Sequence, residues 1–145
     1  MDEKSLAWLT GGSFDESRLI LRFFGDDLDP DMISEKLGLP PTDSCRKGDW
    51  HRKGRILEST GRWVLERERT TQSVTECLRQ LFASLTNDLT VWKELAQRFH
   101  SDLRCHLIVR RWNGGQTWPP QALAAIAERG LELIIDVYFE PNDAD

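Results

Sequence analysis

Cysteine and histidine come first, because together they could bind a metal or form a nucleophile and its base. The close pairs are Cys45 with His51 and Cys105 beside His106. Zinc sites need convergent ligands at recurrent spacings, and Cys45, Cys77 and Cys105 make no Cys-x-x-Cys pair. Neighbouring strand residues point to opposite faces, so Cys105 and His106 are not expected to share a metal. Cys105 falls in an apolar alternation and reads as a core thiol. No metal and no cofactor are expected. The chain also lacks a GxSxG elbow, a Walker loop and a GxGxxG turn, and Gly11-Gly12 and Gly114-Gly115 lack a phosphate-loop context. Asp26, Asp27, Asp29 and Asp31 crowd together, but they precede a helix, whose N-terminal dipole favours anions. The expectation is a protein that is not an enzyme.

Two surfaces could bind instead. One is the loop carrying Thr42, Arg46, Lys47, Gly48 and Trp50, followed by Arg52 and Lys53. Cations around an aromatic ring could grip an anion or stack on a base. The alternative is a solvated loop whose tryptophan tucks onto the core. The other surface is one side of a sheet, presenting Arg22, Phe24, Arg104, His106, Arg110, Asp136 and Tyr138 among Ile20, Val64, Glu66, Ile108 and Ile134. Arginine and tyrosine are frequent anchors at protein interfaces. The alternative here is a solvated face crossed by ion pairs such as arginine with Asp136.

These residues need elements to position them. Leu19, Leu21 and Phe23 alternate with Ile20, Arg22 and Phe24, which predicts a strand over 18–24. Asp29 and Pro30 open a helix that Gly38 closes, and Leu39-Pro40-Pro41 prevents its continuation. A short strand is expected near 55–58 and another over 62–69, with Trp63 and Leu65 on one side. Ser73-Val-Thr-Glu76 reads as a capping box at the head of a helix with Val74, Cys77, Leu78, Leu81, Phe82 and Leu85 on one stripe. A second helix starts near Asp88 and carries Trp92, Leu95 and Phe99. Leu103, Cys105, Leu107 and Val109 predict a half-buried strand. Pro119-Pro120 starts a helix with Leu123, Ile126 and Ala127 inward and Gly130 as its stop, and a last strand runs over 131–139.

The segments 21–39 and 107–131 share one order: strand, turn, proline-initiated helix, Gly-Leu. Two β-loop-α-β-like halves around a helical insert predict an α+β, ferredoxin-like sandwich. Its mixed or antiparallel sheet would have about four or five strands, with helices packed on one face. The domain is expected over 18–139, after a loosely ordered lead-in at 1–17 that docks Trp8 and Leu9, and before a frayed tail at 140–145.

The 145 residues suffice for one self-sustaining core. The net charge of −5 argues against nucleic acid as the partner, since phosphate neutralisation needs clustered cations. An odd cysteine count without a disulfide pattern points to a reducing, cytoplasmic compartment. The acidic start MDEKSLAWLT is not expected to act as a signal peptide, and no apolar run in the sequence approaches the length that spans a bilayer.

Leu28-Asp-Pro-Asp-Met-Ile-Ser-Glu-Lys-Leu-Gly-Leu-Pro-Pro-Thr42, Arg46-Lys-Gly-Asp49, Gly61-Arg-Trp63 and Gly130-Leu-Glu-Leu-Ile-Ile-Asp-Val-Tyr138 occur in this order. In these motifs the chain resembles the uncharacterised bacterial family named domain of unknown function forty-two seventy-nine, over roughly residues 18 to 139. The resemblance implies that the Leu-Gly-Leu-Pro-Pro-Thr turn, the Lys47-Gly48 loop and Asp136 belong to a shared pattern, and it brings no activity. The functional expectation is a protein-interaction module whose partner is another protein, with an immunity-protein-like docking role by analogy of class. A homodimer is compatible with it. The alternative is a small-ligand or single-stranded nucleic-acid binding domain using the open sheet face.

Overall fold

A computed structural model describes residues 14–51, 54, 56–112 and 114–141. β1 (Glu16–Gly25) leads to α1 (Pro30–Leu37) and the short β2 (Asp43–Cys45). A small hairpin, β3 (Trp50–His51) with β4 (Ile56–Leu57), precedes β5 (Gly61–Glu66). Two helices, α2 (Val74–Ala83) and α3 (Leu89–Arg98), lead into β6 (His100–Val109). α4 (Pro120–Glu128) and β7 (Glu132–Phe139) complete the described elements.

The main sheet has five strands in the order β2-β5-β1-β6-β7. β1 runs antiparallel to both β5 and β6, β2 is antiparallel to β5, and β7 lies parallel to β6. The sheet is therefore open and mixed, with the four described helices packed on one side. The order of β2, β5, β1 and β6 is consistent with a ferredoxin-like sandwich, to which α4 and β7 add a further parallel crossover. The two halves differ in one respect. α4 joins adjacent strands, whereas α1 joins β1 to β2 with β5 inserted between them, a split β-α-β unit.

Local chemistry explains the boundaries. Asp29 accepts a hydrogen bond from the Asp31 backbone N–H, and Gly38 ends α1 at φ 97°. That left-handed conformation is one a side chain would strain. Ser73 accepts from the Glu76 backbone N–H, but the Glu76 carboxylate turns to Arg79 and Gln80, so only half of the expected capping box forms. β6 begins at His100, earlier than the apolar alternation indicates. β5 stops at Glu66, three residues short of the expected end. Ser17 then pairs with Thr70, one residue out of step with the β1–β5 register, the offset of a bulge.

Leu19, Leu21 and Phe23 of β1, Trp63 and Leu65 of β5, and Leu103, Cys105 and Leu107 of β6 supply the sheet's share of the core. Ile33, Leu78, Leu81, Trp92 and Leu95 supply much of the helices' share. The expected inward face of α4 needs correction: Ala122, Ala125 and Ile126 are buried, while Leu123 and Ala127 are exposed. Ala122, Ala125 and Ile126 lie on the side of α4 that meets β7 and α2. Arg129 is buried beyond its end, with its guanidinium 4.2 Å from the Phe82 ring centre and donating to the Ala125 carbonyl.

Gly25 and Gly61 face each other across β1 and β5. A Cβ at Gly61 would lie 2.8 Å from the Gly25 carbonyl oxygen and 3.0 Å from Leu28 Cβ, so backbone must move to admit it. Gly61→Ala is expected to destabilise the fold by about 1–3 kcal/mol, as overpacking does. Gly115→Ala meets nothing within 4 Å and is expected to stay within about 0.5 kcal/mol of the parent. Urea unfolding midpoints of the two variants check this pair.

Candidate functional site

The pleat of β1 sends Leu19, Leu21 and Phe23 to the helices and leaves Arg18, Ile20, Arg22 and Phe24 on the open side. The β1–β6 register sets Arg18 opposite His106, Ile20 opposite Arg104, Arg22 opposite Asp102 and Phe24 opposite His100. The β6–β7 register then adds Asp136 beside His106 and Tyr138 beside Ile108. The sheet-face residues anticipated from sequence on β1, β6 and β7 are thus brought together. Arg110, just past β6, lies at the end of the same surface.

Ion pairs organise this face. Asp102 is fully buried and accepts two hydrogen bonds from Arg22, both at 2.8 Å, and a third contact from His100 Nε2 at 3.0 Å. The Arg22 guanidinium also lies 5.0 Å from the Phe24 ring centre. Its hydrogen bonds to Asp102 hold Arg22 more firmly protonated than an isolated arginine. Arg18 pairs with Glu66 at 2.8 Å and donates to His106 Nδ1 at 3.1 Å. Accepting at Nδ1 places the proton of neutral His106 on Nε2. That nitrogen lies 3.4 Å from Asp136 Oδ2, and Arg104 Nε lies 3.5 Å from the same oxygen. Both are ion-pair distances without hydrogen-bond alignment.

At the far end, Glu16 receives both Arg110 and Arg69, and Arg69 also holds Glu140. The Arg69 hydrogen bonds keep both carboxyls below their usual range. Arg18, Arg69, His106, Ile108, Tyr138 and Glu140 line a hollow of about 260 Å3. His106 and Tyr138 meet edge to face inside it, with ring centres 5.2 Å apart.

The loop expected to carry cations behaves differently. Arg46 pairs with Asp29 and Asp31, and Lys47 with Asp26, so the basic loop and the acidic cluster neutralise each other. Thr42 is structural: its hydroxyl donates to the Val64 carbonyl and accepts from the Glu66 N–H. Gly48 serves the turn at φ 90°. Trp50 is 67% exposed, so it does not tuck onto the core. Arg52 and Lys53 lie outside the described residues, as do Trp8, Leu9 and Gly11-Gly12.

The thiols are poorly suited to nucleophilic chemistry. Burial pushes Cys105 up to about 12, and burial also raises Cys45 and Cys77, so none is poised as a thiolate. Among the described residues, no three His, Cys, Asp or Glu side chains converge as a metal-ligand set.

Sequence reasoning missed His100 and Asp102 because it began β6 too late, and it left Arg18, at the first position of the expected β1, off the open face. Even-numbered parity, carried back along β1 and β6, would have found all three. Arg69 and Glu140 carry no comparable signal, since they meet across 71 residues of chain.

Asp102 makes Arg22 indispensable. Removing one partner of a buried pair leaves an uncompensated charge, so Arg22→Met is expected to cost about 3–5 kcal/mol. Adding Asp102→Leu should recover part of that loss, and a double-mutant cycle by urea unfolding reads the coupling. His106 provides a pH signature. Burial first, and then the Arg18 charge, hold its folded pKa below 6.5. The folded state therefore favours the neutral ring. That stability is fully present above the unfolded value and is lost as pH falls from 6.5 through the lowered folded value. Below 6.5, the wild-type urea midpoint is expected to fall more steeply than that of His106→Gln.

No curated protein and no solved structure matches the chain. A family model described as Domain of unknown function (DUF4279) matches residues 15–140, from the residue before β1 to the glutamate held by Arg69. The match takes in every strand and helix described above, and the chain belongs to the DUF4279 family.

Proposed function

We propose that this chain is a non-catalytic protein-interaction module that meets its partner through the open side of the main sheet. One observation carries the reading: the arginines of that face are matched to carboxylates within the face. Arg22 is committed to Asp102, Arg18 to Glu66, Arg104 to Asp136, and Arg110 to Glu16. A polyanion would have to compete with each of these carboxylates, so the surface is poorly suited to nucleic acid. A mosaic of neutralised pairs, with Phe24 and Tyr138 at opposite ends, suits a protein surface of mixed polarity, where aromatic anchors supply contact area.

Docking by a small acidic protein, as immunity proteins dock on a toxin, is the analogy of class. The setting we infer is the bacterial cytosol. Cys45, Cys77 and Cys105 are free thiols, and no described helix is long and apolar enough to cross a membrane.

A small-ligand role has one observation in its favour, the hollow lined by Arg18, His106 and Tyr138. The internal pairing of Arg18 and Arg69 counts against a strong anion site there.

Affinity capture from host lysate, at low and at high salt, separates these roles. The expected result is one stoichiometric protein that survives high salt and is lost with Phe24→Asp. Retained nucleic acid that leaves as salt rises would overturn the reading. Retention of no macromolecule, together with a thermal shift by a small metabolite that Tyr138→Ala abolishes, would transfer the site to the ligand role.

A further inference from the structure

The two edges of the main sheet are built differently. β2 is three residues long and carries exposed Asp43 and Ser44, with Asp43 engaged by Arg62. A short charged edge is one that resists strand addition. β7 is eight residues long, Glu-Leu-Ile-Ile-Asp-Val-Tyr-Phe, with neither lysine nor proline. Among the described residues no strand pairs with its outer side. On the helix side of that edge, Ile135 is 43%, Val137 57% and Phe139 59% exposed. Leu123 of the neighbouring α4 is 47% exposed. Single exposed apolar side chains are ordinary, but a row of them along an unpaired backbone is a template for another strand.

We propose that this edge is a homodimer interface, in which the β7 strands of two copies pair antiparallel about Ile135 and join two five-stranded sheets into one. Antiparallel pairing places directly opposed residues on the same face, so the two-fold axis must pass through a residue pair of like parity. An axis at Ile134 would set Glu132 against Asp136 twice, and an axis at Asp136 would set that carboxylate against itself. Like charges directly opposite are destabilising. An axis at Val137 avoids both clashes but leaves a shorter overlap of the strand with itself. With the axis at Ile135, Ile135 meets Ile135, Leu133 meets Val137, and Glu132 faces the Tyr138 hydroxyl, over nearly the whole strand. The same arrangement brings the two α4 helices together on the helix side, where Leu123 is exposed. The self-complementarity of the strand is what selects a second copy over an unrelated extended peptide.

This goes beyond the open-face reading and uses the β7 edge, which adjoins the open face at Asp136 and Tyr138. The test is sedimentation equilibrium of the full chain across micromolar to millimolar concentrations, alongside Ile135→Lys and Ile135→Glu. Wild type is expected at twice the chain mass and each variant at the chain mass. Far-UV circular dichroism should be unchanged, because the replaced side chain lies at the surface. Because residue 135 meets its own copy, an equimolar mixture of the two variants is expected to return to dimer mass through an opposed lysine–glutamate pair. If Ile135→Lys does not fold, Val137→Lys, which is more exposed, serves in its place and is also expected at the chain mass. A monomeric wild type would overturn the proposal, whether or not another protein takes the edge. So would a dimer indifferent to both lysine variants, or a mixture of Ile135 variants that stays monomeric. Retention of the lysate partner by monomeric Ile135→Lys would leave the open-face reading standing, while its loss with Phe24→Asp alone reports on that reading separately.

Discussion

The pleat of β1 is the constraint from which the rest of the molecule follows. β1 is bonded on both sides, to β5 and to β6, and each of its side chains is assigned to one face by parity alone. Leu19, Leu21 and Phe23 are committed to the helices. Phe23 packs edge-on against Trp63 and close to Trp92, tying β1 to β5 and α3 at once. The same alternation commits Arg18, Arg22 and Phe24 to the open side. A slip of one residue would exchange the two sets, placing arginines in the core. Core and candidate site are therefore two consequences of one register.

Charge pairing is the second organising feature. The chain carries a net −5, yet its arginines are seldom idle. On the open face each one crosses between neighbouring strands to a carboxylate, with Arg22 and Asp102 the most deeply placed pair. Near α1 the same economy joins Arg46 and Lys47 to the aspartates that precede the helix. Exposed pairs of this kind contribute little stability singly. A cation already satisfied by a neighbouring carboxylate offers less to an incoming phosphate. Asp102 differs in kind: a buried carboxylate must be matched, and that need orders Arg22 and His100 around it.

Membership of the DUF4279 family extends over nearly all of this architecture and leaves its role to be argued from surfaces. Those surfaces divide the labour. The open face offers polarity and aromatic anchors, the β2 edge is short and charged, and the β7 edge is long and apolar. On the readings proposed above, the open face and the β7 edge are two chemically distinct candidate docking surfaces.

Sequence by itself determined the α+β class, the long strands and helices and most of the face assignments, because alternation and helical periodicity are local and strong there, whereas β2 and β3 fall in a stretch that reads as a loop. The stops at Gly38 and Gly130 were legible for the same reason: left-handed backbone favours glycine at short range. The starts of β1 and β6 were not, since Glu16, Ser17, Ser101 and Asp102 are polar residues drawn into strands by their neighbours' hydrogen bonds. Nor could α4 be oriented from its pattern, where Leu123 looks like core and Ala122 and Ala125 are the buried ones. The way α4 seats against β7 and α2 decides that, and the seating is a property of the assembled layers. Tertiary structure alone decided that β5 lies between β1 and β2, that Arg69 reaches Glu140, and that β7 stands at an open edge. Each depends on contacts between residues far apart in the chain, whose closure no local pattern records.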